Sequence, residues 1–230
     1  MTTTKNSLFF PEATLEVSET GIRTYSTVRG DTEIKFSYIP PGASVPMHDH
    51  QEVQIGMVVQ GELTMTVGGV TRVMTAENEI YVAPPFCPHA AVNESDGETI
   101  AIDIKRFREG ENYTHAEGYF REKYNTRDLI PGMEVTFFLE DWMELMIADI
   151  PANGGEMPDH KHKNEQLGIC IGGSYPMVIE NETHMMKVGD SYFCGARERH
   201  SAVNPFDVAA RSINVFLPPR YNLHELKKNK

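Results

Sequence analysis

Short runs in which apolar and polar residues alternate recur along the chain and predict an all-β protein. In residues 62–67 every second side chain is apolar, which is typical of a strand with one buried face. Residues 100–104 show the same alternation. Many short strands of this kind favour a closed barrel or jelly roll, because closure leaves few exposed strand edges. Further strands are predicted at residues 22–28, 33–38, 142–150 and 212–217.

The alternation breaks off over residues 105–130, which we interpret as a connector between two domains. Thr114 and Glu117 have the spacing of a helix capping box. Aromatic residues at helical spacing follow at positions 119, 120 and 124, so a short helix is expected here. The predicted organisation is an N-terminal barrel (1–104), this connector, a C-terminal barrel (131–217) and a tail (218–230).

A pattern of histidine and glutamine residues occurs twice along the chain. The first copy consists of His48, His50, Gln54 and His89, and the second consists of His160, His162, Gln166 and His200. The offset between the copies is 112 residues for the first three positions and 111 for the last. A repeat in register over this distance predicts two copies of one domain of about 110 residues.

The repeated residue types predict a metal site in each half. In an extended chain, side chains two residues apart point to the same face, so His48, His50 and Gln54 are expected to converge. One such histidine pair would be weak evidence, but six of the nine histidines fall in the repeated frame. His115, His184 and His224 fall outside it and are interpreted as structural. We therefore expect two divalent metal ions per chain.

The composition of the proposed ligand set indicates a kind of chemistry. Three neutral imidazoles and a neutral amide leave the full charge on a divalent ion, which makes the ion a stronger Lewis acid toward a chelating substrate. An allylic proton shift would then need no redox change. Iron with open coordination positions also suits a dioxygen-dependent oxygenase. A third alternative is a non-catalytic module that binds small acids.

The overall composition limits the classes of binding partner and the cellular compartment that we expect for this protein. A formal net charge of −12 at pH 7 argues against binding to nucleic acid. No apolar run approaches the roughly 20 residues of a membrane-spanning helix, and the start of the chain lacks a secretory signal pattern. Three cysteines without CxxC spacing fit reduced thiols in the cytoplasm. The expected partner is a small molecule, and the chain is expected to be a monomer or a homodimer.

The repeated spacing resembles the two motifs of the cupin family, G(x)5HxH(x)3E(x)6G and G(x)5PxG(x)2H(x)3N. Both copies match the first motif, except that Gln54 and Gln166 stand where the family usually has glutamate. The second motif is looser. Its histidine and asparagine are present in both copies, whereas Asn78 and Phe86 replace its glycines in the first copy and Gly195 replaces its proline in the second. The resemblance implies a bicupin, with two tandem barrels.

Longer runs resemble the bicupin isomerases of bacilysin (anticapsin) biosynthesis. These runs are YSTVRGDTE, EVQIGMVVQGELTMTVG, IAIDIKR, TRDLIPGMEVTFF, GGEMP, HKHKNEQLGICIGG and PPRYN. The resemblance implies an isomerase that moves a ring double bond of dihydro-4-hydroxyphenylpyruvate from an endocyclic position to an exocyclic one conjugated with the 2-oxo acid. It also implies the two ligand sets given above, with Fe²⁺ or Co²⁺ as the expected ion, and Tyr221 as a substrate-binding and catalytic residue. Because Tyr221 follows the second barrel closely, we expect that barrel to carry the chemistry.

Overall fold

The computed structural model of the chain describes residues 7–113, 118–130 and 132–220. These residues form 21 strands and contain no helix. The chain divides into two compact units, one of Ala13–Lys123 and one of Met1–Glu12 together with Tyr124–Lys230. The all-β fold class with two tandem barrels, expected from the repeat, is confirmed.

The first unit is a sandwich of two antiparallel sheets. Its strands are β1 (Thr14–Val17), β2 (Arg23–Arg29), β3 (Thr32–Ile39), β4 (Ser44–His48), β5 (Val53–Gln60), β6 (Glu62–Val67), β7 (Val70–Thr75), β8 (Glu79–Ala83), β9 (His89–Val92), β10 (Thr99–Arg106) and β11 (Phe120–Glu122). One sheet has the order β1-β2-β3-β10-β5-β8-β11, and the other has the order β4-β9-β6-β7. Leu63, Met65 and Val67 of β6 are buried, as their alternation predicts, in a core with Met74 and Tyr81.

The second unit repeats this arrangement. Its strands are β12 (Asn125–Ile130), β13 (Met133–Leu139), β14 (Glu144–Ile150), β15 (Gly155–His160), β16 (Glu165–Gly172), β17 (Ser174–Ile179), β18 (Glu182–Lys187), β19 (Ser191–Cys194), β20 (His200–Asn204) and β21 (Ala210–Leu217). Its sheets have the orders β12-β13-β14-β21-β16-β19 and β15-β20-β17-β18. The succession β3-β10-β5-β8 of the first unit therefore corresponds to β14-β21-β16-β19 of the second.

The helix predicted in the connector is wrong for the described part of that segment. Thr114 and Glu117 lie outside the described residues, but Phe120 begins the short strand β11, which pairs with β8. The backbone amide of Val82 also donates to the carbonyl of Tyr119, at 2.8 Å. Without β11, the edge strand β8 would leave a row of backbone N–H and C=O groups without hydrogen bonds. The free energy gained by pairing these groups exceeds the weak helix preference that the spacing of the aromatic side chains indicates.

The N-terminal segment packs with the second unit. Phe10 is buried in that core, and the carbonyl of Phe9 accepts a hydrogen bond from the amide of Phe193 in β19, at 2.8 Å. This contact corresponds to the one between Tyr119 and Val82 in the first unit. The residues around Phe10 therefore belong to the compact second unit, although the sequence analysis assigns positions 1–104 to the N-terminal barrel.

Candidate metal centres

The predicted ligands of the first barrel come from both of its sheets. His48 ends β4 and His89 begins β9 in one sheet, whereas Gln54 lies in β5 of the other. His50 lies in the loop between β4 and β5. His48, His50 and Gln54 therefore do not lie in one continuous strand, because the chain crosses between sheets after His48. The four side chains nevertheless converge, since the three histidines form one cluster and Gln54 Oε1 lies 2.9 Å from His50 Nε2.

The histidines of each barrel form a cluster of the same shape. In each cluster, one ring nitrogen from each of the three histidines lies within 4.8 Å of the other two. The three ring centroids are 4.3, 5.0 and 5.7 Å apart in both barrels. The clusters consist of His48, His50 and His89, and of His160, His162 and His200. The repeat in sequence is thus a repeat in geometry.

Backbone carbonyls fix the tautomer of all six imidazoles. Each Nδ1 lies 2.7 to 3.1 Å from a carbonyl oxygen two residues away in the chain. The carbonyl acceptors belong to Pro46, Glu52, Cys87, Pro158, Asn164 and Glu198. Because a carbonyl only accepts, each Nδ1 must carry the hydrogen. The Nε2 lone pairs of the neutral rings therefore face the centre of each cluster.

A tyrosine and a strand neighbour orient each glutamine. The Gln54 amide nitrogen donates to Asp103 Oδ1 at 3.1 Å and to the Tyr81 hydroxyl. The Gln166 amide nitrogen donates in the same way to Asn214 Oδ1, at 3.3 Å, and to the Tyr192 hydroxyl. Both amide oxygens consequently point into the histidine clusters. Tyr81 and Tyr192, which sequence reasoning missed, are themselves 111 residues apart.

With neutral rings the inner atoms of each cluster are all acceptors, and this arrangement suits a bound cation. Gln54 Oε1 lies 2.9 Å from His50 Nε2, and Gln166 Oε1 lies 3.0 Å from His162 Nε2 and 3.1 Å from His200 Nε2. No hydrogen is available between these lone pairs. His89 Nε2 is buried and has no hydrogen-bond partner among the described residues. Three imidazole nitrogens and one amide oxygen fit a divalent transition metal.

Burial keeps several of these imidazoles neutral. Removal from water lowers the pKa of His89 and of His162, and it lowers the pKa of His200 to about 4. A charged imidazole is poorly solvated at these positions. The rings are thus in the protonation state that metal ligation needs at neutral pH.

The walls beside the two centres differ in chemistry. At three matching positions of the sheet, the first barrel has the charged Lys35, Asp103 and Lys105, whereas the second has Met146, Asn214 and Phe216. The cavities next to the clusters also differ in volume, about 140 Å³ in the first barrel and about 40 Å³ in the second. The repeat therefore preserves the ligands and varies their surroundings.

An ion pair that sequence reasoning missed lies beside the second centre. The Arg220 guanidinium lies 3.4 Å from the Phe216 ring centroid and forms an ion pair of 2.6 Å with the fully buried carboxylate of Glu144. The Phe216 ring in turn contacts the His162 ring, with centroids 5.5 Å apart. The predicted Tyr221 lies outside the described residues, immediately after Arg220. Its position in the PPRYN run was the only signal for this region.

The asparagines of the second motif serve the loops of the barrels. Asn93 Nδ2 donates to the carbonyls of Ile39 and Gly97, each at 2.8 Å. Asn204 is likewise fully buried, and its Nδ2 donates to the Val208 carbonyl at 2.9 Å. Neither asparagine belongs to the histidine clusters, so these residues stabilise loops.

Comparisons with known proteins agree with this architecture. The profile of the cupin domain matches residues 35–105 and 146–216. An H2HPP isomerase of Bacillus subtilis is 58% identical over 221 residues, which cover 96% of this chain and 94% of that protein. The pectin degradation protein KdgF of Dickeya dadantii (strain 3937) is 31% identical over 77 residues, which cover 33% of this chain and 69% of that protein.

Solved structures share the fold. AerE from Microcystis aeruginosa superposes with a TM-score of 0.84 at 26% identity, covering 92% of this chain and 99% of that chain. Bacillus subtilis oxalate decarboxylase superposes with a TM-score of 0.76 at 12% identity, covering 94% of this chain and 79% of that chain. Within the described ranges, no helix has the length and apolarity needed to cross a membrane.

Proposed function

The chain belongs to the cupin family as a protein of two cupin domains, and we propose that it is a metal-dependent isomerase of dihydro-4-hydroxyphenylpyruvate. The reaction is an intramolecular transposition of a C=C bond, from an endocyclic ring position to an exocyclic position conjugated with the 2-oxo acid. The observation that carries the proposal is the 58% identity to an H2HPP isomerase over 96% of the chain. The long runs that resemble isomerases of bacilysin (anticapsin) biosynthesis support that pathway as the proposed setting of the reaction.

The proposed cofactor is one divalent ion per barrel, Fe²⁺ or Co²⁺. Such an ion, when bound, supplies Lewis acidity toward the carboxylate and ketone oxygens of a 2-oxo acid. His160, His162, Gln166 and His200 would hold it in the second barrel, and His48, His50, Gln54 and His89 would hold it in the first. The acceptor atoms that face each other in both clusters support this assignment.

We assign the chemistry to the second barrel because its wall suits the ring of the substrate. Met146 and Phe216 present apolar surface beside the ligands. The guanidinium of Arg220 also lines this cavity, and its positive charge favours an anionic substrate. Glu144 holds this guanidinium in place through its ion pair.

Tyr221 is the proposed carrier of the proton. Among the described residues that line the second cavity there is no lysine, aspartate or glutamate. Burial raises the pKa of Tyr192, so its hydroxyl stays protonated and continues to hold Gln166. A hydroxyl from the segment after Arg220 would supply the missing group, as tyrosine does in general acid-base catalysis. A role in binding the substrate carboxylate is compatible with this.

The three cysteines accord with a cytoplasmic enzyme. Cys87, Cys170 and Cys194 form no disulfide bond within the described residues, and Cys170 and Cys194 are buried. A reducing compartment keeps thiols from forming disulfides. The partner in that compartment is the small 2-oxo acid itself.

One experiment tests the reaction directly. Metal-reconstituted protein is incubated with dihydro-4-hydroxyphenylpyruvate in deuterated water under strict anaerobiosis. We expect the absorbance of the conjugated product to appear, with deuterium incorporated into the ring. Turnover that stops without oxygen, with oxygen consumed in air, would instead identify an oxygenase. A substrate released with an unchanged ultraviolet spectrum would identify a binding module.

A further inference from the structure

Lys105 places an ammonium group in the cavity of the first barrel. It lies in β10 directly opposite the predicted ligand Gln54, and its side chain lines the same cavity as His48 and His89. The residue is half-buried. Within the described part of the chain, its ammonium has neither a hydrogen bond nor an ion pair.

Asp103, Glu33 and Glu52 attract the charge of Lys105, but none of them forms a direct ion pair with it within the described residues. Asp103 accepts hydrogen bonds from Gln54 and from the Tyr81 hydroxyl. Glu33 lies 3.6 Å from the ammonium of Lys35. Burial, and then the neighbouring charge of Lys35, lower the pKa of Lys105. A half-buried ammonium that forms no direct ion pair is stabilised when a ligand places a carboxylate against it.

The other end of this cavity is apolar. Its wall there consists of Ile39, Met57, Leu63, Met65 and Met74, all of which are buried. The volume of about 140 Å³ is more than three times that of the second cavity. A ligand that fits both ends therefore combines a carboxylate with an apolar body.

The second barrel lacks this arrangement at the matching positions. Phe216 stands where the first barrel has Lys105, and Met146 stands where it has Lys35. The cation beside the second centre, Arg220, comes from the chain after β21 and is paired with Glu144. The two cavities therefore present different groups to a ligand, although their histidine clusters match.

We propose that the cavity of the first barrel is a second ligand site, for a carboxylic acid with a ring-sized apolar body, in which the ammonium of Lys105 pairs with the carboxylate. The site goes beyond the isomerase reaction, which we assign to the second barrel. Such an acid could be the 2-oxo acid of the enzyme's own reaction or another arylalkanoic acid. The common chemistry is the carboxylate at Lys105 and the ring against Leu63 and Met65.

Calorimetric titration of the metal-loaded protein with 3-phenylpropionate tests the site, because this probe has the carboxylate and the ring but no ketone. We expect saturable binding that Lys105→Met weakens at least tenfold and that Lys105→Arg, which keeps the charge, weakens less than threefold. Lys187→Met, at an exposed lysine of the second unit, should leave binding unchanged. Metal content and circular dichroism of each variant establish that it is folded and loaded.

Two results would overturn the proposal. One is the absence of saturable binding to the wild-type protein, and the other is binding by Lys105→Met with the wild-type affinity. A parallel titration with phenylpyruvate distinguishes the sources of ligand, since tighter Lys105-dependent binding of the ketoacid would favour the enzyme's own class of substrate. Neither outcome depends on turnover, so a failed isomerase assay and a failed titration are separate findings.

Discussion

Gln54 donates its amide hydrogen to the carboxylate of Asp103 at 3.1 Å, whereas Gln166 donates to the neutral amide oxygen of Asn214 at 3.3 Å. The two glutamines have the same position, tyrosine partner and orientation. They differ in the charge of the residue that accepts their amide hydrogen, which is an aspartate in the first barrel and an asparagine in the second. A carboxylate tolerates only a donor as its neighbour, while an asparagine can rotate its amide to offer either a donor or an acceptor.

Gln166→Glu should therefore retain the metal and slow the isomerisation. The added negative charge weakens the Lewis acid and repels the anionic substrate, and Asn214 can turn its NH₂ group toward the new carboxylate. Rate and metal content are measured on the same sample. A variant faster than the wild type would contradict the proposed role of the neutral ligand, and an unchanged rate with an altered metal would mean that glutamine selects the ion.

Gln54→Glu should destabilise the metal-free protein more than Gln166→Glu does. The new carboxylate would lie beside Asp103 in a buried position, with a cost of about 2 kcal/mol from the lost hydrogen bond and the like charges. Urea denaturation of both metal-free variants at pH 7 measures the difference. Gln54→Glu combined with Asp103→Asn should recover most of the loss, because it recreates the glutamate–asparagine pair of the Gln166→Glu variant.

His48→Ala and His160→Ala should each remove about one metal ion per chain. Each loses one of three imidazoles from a cluster that otherwise holds its geometry through backbone carbonyls. Elemental analysis after reconstitution gives the count. His184→Ala, outside both clusters, should keep two ions. Clearly fewer than two ions in the reconstituted wild-type protein would refute one ion per barrel.

Gly56→Ala and Gly168→Ala should weaken metal binding in their own barrels. A methyl group at Gly56 would overlap the ring of Tyr81, and one at Gly168 would overlap the ring of Tyr192. Each ring would have to move away from the glutamine that it orients. We expect at least a tenfold loss of affinity for Co²⁺ in competition with a chelator. Gly97→Ala, which meets no atom within 4 Å, is the matched control.

The metal-free protein should lose stability as the pH falls from 7 to 4.5. Burial lowers the pKa of His200 to about 4 in the folded chain, whereas an exposed imidazole titrates near about 6.5. Between about pH 6.5 and pH 4 the imidazole of the unfolded chain binds a proton that the folded chain excludes. The free energy of unfolding therefore falls as the pH is lowered, by up to about 3 kcal/mol for this group. Urea denaturation at both pH values measures the loss, and His200→Gln should reduce the pH dependence.

Tyr221→Phe should lower kcat or raise KM by about tenfold or more, which corresponds to roughly 1.4 kcal/mol of transition-state stabilisation. The substitution keeps the aromatic ring and removes only the hydroxyl that we propose to bind the substrate or relay the proton. Steady-state kinetics and thermal denaturation are measured together. Wild-type kinetics with unchanged stability would make Tyr221 a packing residue and reopen the choice of catalytic barrel.

The sequence by itself determined the duplication, the strands with one buried face, and the identity of the histidines and glutamines that converge. These features depend only on the spacing of residues along the chain. A period of two residues and an offset of about 111 residues can be recognised without knowledge of tertiary contacts. The alternation at β6 and the recurrence of His89 as His200 are the clearest cases. The helix expected around Phe120 failed because a strand edge of the same unit needed a partner.

Only the tertiary structure decided how the ligands are held and what surrounds them. The hydrogen bond of Gln54 with Asp103 joins β5 to β10. The ion pair of Arg220 with Glu144 joins the segment after β21 to β14. No sequence period connects such positions. Side chains from different strands face one cavity only after the sheets have formed, so the different walls of two nearly identical histidine clusters are a property of the packed barrels.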